Sequence, residues 1–261
     1  MRRAGAVAVV AAAGQLEWRM LRREPSTMFA VWLVPVQTLG YLAIFRFGGR
    51  SDLDLYAVIA PAVIALWALA LMLSGEVIAN ERDNQSLEAI AAAPARLELV
   101  MVGRVLVITL ASWLALPLSM LTGWVFFGVP PLLAEPGVFV LTYAAMSAAT
   151  VATALLFAVF FVNSRSPRIF QNSLSYPFYV LGGVLVPVAL YPEWVQVLAR
   201  GVYLSWSADL LRASATGSGL TGWPWRIGVI LALGAVTYLV ARGLLALTLR
   251  NARREGKLGL T

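Results

Sequence analysis

Six long apolar runs, each bounded by charged or turn-forming residues, dominate the chain; they lie near 27–47, 55–78, 99–127, 137–162, 170–189 and 225–249. About 20 predominantly apolar residues make a helix long enough to cross the ~30 Å hydrocarbon core of a bilayer, so each run predicts a membrane-spanning helix. The third is long enough to tilt or to extend beyond the bilayer. Two other stretches are helical in period but amphipathic. Residues 1–24 begin with Arg2, Arg3 and a short Ala/Val run, the pattern of a signal peptide. The run is short, however, and a basic amphipathic stretch follows it. There Leu16, Met20 and Leu21 fall on one helical face and Arg19, Arg22 and Arg23 towards the other, with Trp18 suited to headgroup depth. An interfacial helix on the cytoplasmic surface is therefore expected over 1–24. Residues 190–215 carry Glu193, Arg200, Asp209 and Arg212 and are too polar to cross lipid alone. They predict an outer helical hairpin, at the surface or re-entering it.

Composition supports lipid as the solvent for much of the surface. Of 261 residues, 60% are hydrophobic and 13% charged, against roughly 45–50% and about 25% in soluble domains. The expected fold class is an all-α integral membrane protein forming one transmembrane domain over 1–261, with a cytoplasmic tail at 250–261. No room remains for a soluble catalytic domain. The chain has no cysteine and no histidine, which removes thiolate chemistry and the commonest metal ligand and general base. No catalytic or metal-binding residue is expected.

The net charge of +7 is distributed asymmetrically. With the N-terminus in the cytoplasm, the inner segments hold Arg2, Arg3, Arg19, Arg22, Arg23, Arg82, Arg96, Arg165, Arg168 and the basic tail from Arg250. The outer segments hold Arg46, Arg50, Arg200 and Arg212, and Arg226 starts the last span. The positive-inside rule then places both termini in the cytoplasm. Arg104 and Arg242 lie about two turns inside spans and are expected to snorkel to the inner face. Trp124, Trp223, Trp225, Trp194 and Trp206 gather at the outer interface, where anchoring is their default role.

The segment between spans two and three holds five of the thirteen acids, Glu76, Glu81, Asp83, Glu88 and Glu98. Asp83 is placed to cap a short helix that Pro94 ends. Within it Leu87, Ile90 and Ala91 form an apolar strip beside a charged face. Such a helix either lies on the membrane or plugs into a soluble partner, whose groove takes the Leu87/Ile90 side while its charges meet Glu81, Arg82 and Glu88.

At these residues the chain resembles the permease subunits of type 2 ATP-binding-cassette exporters. In that family this loop carries a pattern like E-x-x-x-G-T-L-E-x-L-x-x-x-P. Glu81, Arg82, Ser86, Leu87, Glu88, Ile90 and Pro94 stand at the matching positions, with Gln85 in place of the usual glycine and Ser86 in place of threonine. The hairpin is similar to the family's P-x-W-x-Q…D-x-x-R stretch through Pro192, Trp194, Gln196, Asp209 and Arg212, with Ser205 and Ser207 where prolines are often found. The resemblance implies a coupling helix over 80–94, docking of a separate nucleotide-binding ATPase subunit, and a dimer of two copies or of one copy with a similar permease. The chain lacks a G-x-x-x-x-G-K-[ST] loop, so ATP and Mg belong to the partner. It implies export from the cytoplasm or inner leaflet across a bacterial cytoplasmic membrane. A drug or antibiotic is the first expectation for the substrate, and a lipid or lipid-linked polysaccharide the second.

Span five offers polar residues on one stripe, Gln171, Ser175 and Tyr179, with Asn172 alongside. A polar stripe in lipid should face protein or water, so it lines a pathway or packs at a dimer interface. Trp32, Trp67 and Trp113 lie deep in spans; packing is preferred for each, with binding of an aromatic or amphipathic substrate as the alternative. Trp194, Asp209 and Arg212 are outer-gate candidates. Ala144, Ala148 and Ala152 form a small-residue packing stripe in span four. An ion-coupled secondary transporter is disfavoured, because every acid lies at a span end or in a loop and coupling calls for an ionisable group near the bilayer centre.

Overall fold

The computed structural model describes residues 5–83, 97–162 and 167–255, and every regular element among them is helical. The main helices are α1 (Ala6–Arg23), α2 (Phe29–Trp32), α3 (Val34–Phe47), α4 (Asp54–Asp83), α5 (Leu97–Ala111) and α6 (Ala115–Phe127). They continue with α7 (Pro136–Val162), α8 (Pro167–Leu181), α9 (Glu193–Arg200), α10 (Tyr203–Thr216) and α11 (Trp223–Glu255). Five stretches among the described residues are long and apolar enough to cross a membrane: Pro25–Phe47, Ser51–Leu71, Glu98–Phe127, Pro136–Phe160 and Trp223–Thr248. The chain is thus multi-pass.

Prolines set the interruptions. Pro35 lacks the N–H that the Val31 carbonyl would otherwise accept, and the chain breaks between α2 and α3 at Leu33. Pro117 does the same to the Trp113 carbonyl, and a 3-10 turn at Ser112–Leu114 splits the third span into α5 and α6.

The fifth predicted span differs from expectation. A helix was expected over 170–189, but α8 ends at Leu181 and is 15 residues long, short of the ~20 that cross a bilayer. The physical cause is the Gly182–Gly183 pair. Gly183 turns the chain at φ +59°, a left-handed conformation that favours glycine. The Gly182 amide donates to the Phe178 carbonyl and that of Val184 to the Tyr179 carbonyl, closing the helix end.

α7 sits at the centre, packed on α11, α4, α10 and α5. Its serines and threonines are tolerable there because they donate back along the helix: Thr142 to Val138, Ser147 to Tyr143, Thr150 to Met146 and Thr153 to Ala149. Close packing against α11 follows from Gly234, whose missing Cβ would stand 3.0 Å from Ala149. The small-residue seam is therefore one position on from the expected stripe. Ala145 and Ala149 are buried while Ala148 is exposed. On the other side, the Thr38 and Ser119 hydroxyls lie 2.7 Å apart and Ser119 donates to the Val58 carbonyl, which ties α3, α6 and α4 together.

α1 packs along α5, with Leu21 buried and Leu16 and Met20 exposed. The inward face is Ala13, Gly14, Glu17 and Leu21. Small residues allow the approach: a Cβ on Gly103 would collide with the Val10 carbonyl, and one on Gly14 would stand 3.0 Å from Val107.

Candidate functional site

Three linked clusters run along α4 and its neighbours. The first holds α1 on α5. Arg104 was expected to snorkel; instead its side chain is 7% exposed, and Nε donates to Glu17 Oε2 at 2.6 Å with Glu17 only 3% exposed. A charge this far from water is stable only when paired at close range, and here each partner neutralises the other. Nearby, Arg242 of α11 stands 3.5 Å from Glu98 of α5 and remains half-exposed. Two ion pairs thus anchor the first turns of α5, which follow directly on segment 84–96.

The second cluster is aromatic and lies midway along α4. Trp67 stacks on Phe178 of α8, with ring centroids 4.7 Å apart and planes at 25°. Phe157 of α7 meets both edge-on, at 6.2 Å and 5.7 Å. Tyr203 of α10 completes the group, and its hydroxyl lies 2.8 Å from Thr150 Oγ1. Beside it Trp113 donates to Ser147 Oγ at 3.0 Å and meets Tyr143 edge-on. The Trp67 Nε1 and Tyr143 hydroxyl are buried without a hydrogen-bond partner among the described residues.

The third cluster is built on Arg212 of α10. Its Nη2 donates to the Gly183 carbonyl at 2.8 Å and to Asp209 Oδ1 at 3.1 Å, and Nη1 reaches the Val184 carbonyl at 3.4 Å. The guanidinium also lies 4.0 Å above the ring of Tyr56, in the first turns of α4. Carbonyls freed where α8 ends need a donor if the turn is buried. Gly182, Gly183 and Val184 are buried, and Arg212 supplies it. The positive fork also meets the negative end of the α8 dipole. Burial pushes the neighbouring Tyr191 hydroxyl above its ordinary range, and Arg212 pulls it partly back.

The predicted residues separate accordingly. Asp209 and Arg212 come together in the third cluster, whereas Trp194 is 68% exposed on α9. Trp67 and Trp113 enter the second cluster, while Trp32 is exposed on α2. Tyr179 packs against the central core and Ser175 hydrogen-bonds to it. The side chains of Gln171 and Asn172 lie outside the described residues, as do Ser86, Leu87, Glu88, Ile90 and Pro94. Glu81 and Arg82 fall in the last turn of α4. Glu17 was missed as a site residue. Its signal was present, an acid inside an otherwise basic helix end, but its partner stands 87 positions away.

Residues 10–216 match the sequence model of the family described as ABC-2 type transporter. Among curated proteins none matches the chain. The matched stretch runs from α1 through α10 and takes in the Glu17–Arg104 pair and the second and third clusters, and on it the chain belongs to the ABC-2 type transporter family, as a membrane permease component.

Proposed function

We propose that this chain is the membrane half of an ATP-driven exporter. A separate nucleotide-binding subunit docks on a coupling helix at 80–94, through Glu81, Arg82, Ser86, Leu87, Glu88, Ile90 and Pro94. The observation that carries the reading is α4 itself. This 30-residue helix, about 45 Å long at 1.5 Å per residue, begins under Arg212, carries Trp67 at its middle and ends at the coupling segment. Movement of its inner end is passed along this one continuous helix, past Pro61, to the outer turn that Arg212 holds closed.

In this mechanism ATP-driven closure of the partner subunits displaces segment 80–94 and with it the inner ends of α4 and α5. The Glu17–Arg104 pair makes α1 move with α5. At the far end, tilting of α4 shifts Tyr56 from beneath the guanidinium and loosens its hold on the 183–184 carbonyls. Asp209 and Arg212 then act as an outer latch. Tyr179, Ser175, Gln171 and Asn172 of α8, with Trp67, line the route beside it, and Trp194 marks its mouth. Two such permeases complete the pathway. Both termini lie in the cytoplasm of a bacterial cell, and the substrate is a hydrophobic or amphipathic drug or antibiotic. The aromatic cluster around Trp67 supports an aromatic guest.

Leu87→Asp combined with Glu88→Lys is expected to abolish co-purification of the ATPase subunit while the permease still inserts in the membrane. Retention of the ATPase by that double variant overturns the coupling assignment. Substrate-stimulated ATP hydrolysis by the reconstituted complex separates the substrate classes. Stimulation by a lipid-linked glycan and not by hydrophobic or amphipathic aromatic drugs refutes the drug reading.

A further inference from the structure

Where α1 leaves α5 beyond the Gly14–Gly103 contact, the two helices diverge and leave a groove of about 910 Å³. Val10, Gly14 and Trp18 form one wall and Leu106, Leu110 and Leu114 the other, with Pro117 at its far end. From Leu106 to Pro117 the groove extends about 16 Å along the helix axis at 1.5 Å per residue, close to the ~15 Å depth of one leaflet of a ~30 Å core. Among the described residues, its polar lining lies beside Trp18. Gln15 and Trp18 line this part, and the Arg22 guanidinium stands 5.3 Å over the Trp18 ring. Arg19 and Arg23 are exposed on the same stretch of helix.

We propose that this groove is a binding site for an anionic phospholipid of the cytoplasmic leaflet. One acyl chain lies along Leu106, Leu110 and Leu114, and the phosphate sits at Gln15, the Trp18 indole and Arg22. Three observations select this occupant: an apolar trough about as long as one leaflet is deep, a basic rim at Arg19, Arg22 and Arg23, and an amphipathic indole between them. An acyl chain matches the trough, and a phosphate matches the guanidinium. The bound lipid fills the wedge that the Glu17–Arg104 pair leaves beside α1 and so holds the helix at the membrane surface. The inference rests on the placement of α1 at the cytoplasmic face in the function proposed above. It does not depend on docking of an ATPase.

The test uses the full-length permease alone, extracted from vesicles of equal phosphatidylglycerol and phosphatidylcholine, with retained lipid counted by native mass spectrometry. Preferential retention of phosphatidylglycerol is expected. Arg22→Gln should reduce that preference roughly fivefold, the equivalent of the ~1 kcal/mol that one basic residue contributes near an anionic surface. Leu110→Trp, which fills the trough and leaves every charge in place, should remove the retained lipid. Equal retention of the two lipids, an unchanged preference in Arg22→Gln, or full retention in Leu110→Trp each overturns the site. Displacement of the lipid by an aromatic cation that the complex exports overturns the resident-lipid assignment in favour of a substrate entrance. Failure of the ATPase to dock leaves all these readings unchanged, and cysteine labelling tests the topology separately.

Discussion

Replacing Arg104 by leucine leaves the Glu17 carboxylate between two packed helices with its charge uncompensated. Both side chains are under a tenth exposed and 2.6 Å apart, which is the geometry in which removing one partner of a buried pair costs about 3–5 kcal/mol. The loss falls on the α1–α5 contact, because the remaining bonds there are apolar and made by small residues. Opening of α1 should therefore become about two to four orders of magnitude more frequent, at a factor of ten per ~1.4 kcal/mol, and amide exchange across Val10–Leu21 should accelerate accordingly. Glu17→Gln with Arg104 intact should also weaken the contact, and the double change Glu17→Leu with Arg104→Met should restore much of the protection. Apolar replacement of a whole buried pair is often neutral or stabilising. Hydrogen exchange by mass spectrometry on the three variants and the parent closes the cycle. Single effects under about 1 kcal/mol that add within ~0.5 kcal/mol would refute the claim that these groups act as a coupled pair.

Three other outcomes follow from the same geometry. Arg212→Lys keeps the charge but loses the fork that spans two carbonyls and Asp209; thermal unfolding should show a loss of about 1.5–3 kcal/mol, as for hydrogen bonds to a buried charged group. An unchanged melt would show that the turn at 182–184 closes without Arg212. Gly103→Val forces a branched side chain against the Val10 backbone, and overpacking of this kind costs about 1–3 kcal/mol; exchange should quicken in α1 and not in α7 or α11, and a uniform response would refute close α1 docking. Because the chain has no native cysteine, single cysteines at 165 and 255 give a clean topology assay. A membrane-impermeant maleimide should label both only from the cytoplasmic side, and labelling from outside refutes the orientation.

The spans were readable because hydropathy is a local property. Residues 27–47 and 137–162 were expected and Pro25–Phe47 and Pro136–Val162 are found. What escaped the sequence depends on partners distant along the chain. Glu17 faces inward because Arg104 stands opposite; α8 ends at the local Gly182–Gly183 turn, but the burial of that turn rests on Arg212, 29 positions beyond Gly183. The stripe on α7 was misjudged by one residue, which on a helix rotates the contact by about 100°. Spacing alone does not reveal which of two alanine rows meets Gly234. The hairpin at 190–215 was foreseen at the surface or re-entering, and α10 proves to be largely buried against α7. Its charged residues made it look wet, but Arg212 is paired with Asp209 and the Gly183 carbonyl, and Ser205, Ser207 and Ser214 donate to nearby backbone carbonyls and need no solvent. The family resemblance was carried by motif order, whereas residues 86–94, proposed for coupling, lie outside the described segments.

The central claim is that force enters at the coupling segment and is carried along α4 to the Arg212 latch. ATP-driven uptake of an aromatic cation into inverted membrane vesicles, comparing the parent complex with Leu87→Asp/Glu88→Lys, tests it most directly. The account predicts that transport disappears in the variant while the permease remains at full abundance in the membrane. ATP-dependent uptake at the parent rate in that variant would contradict it.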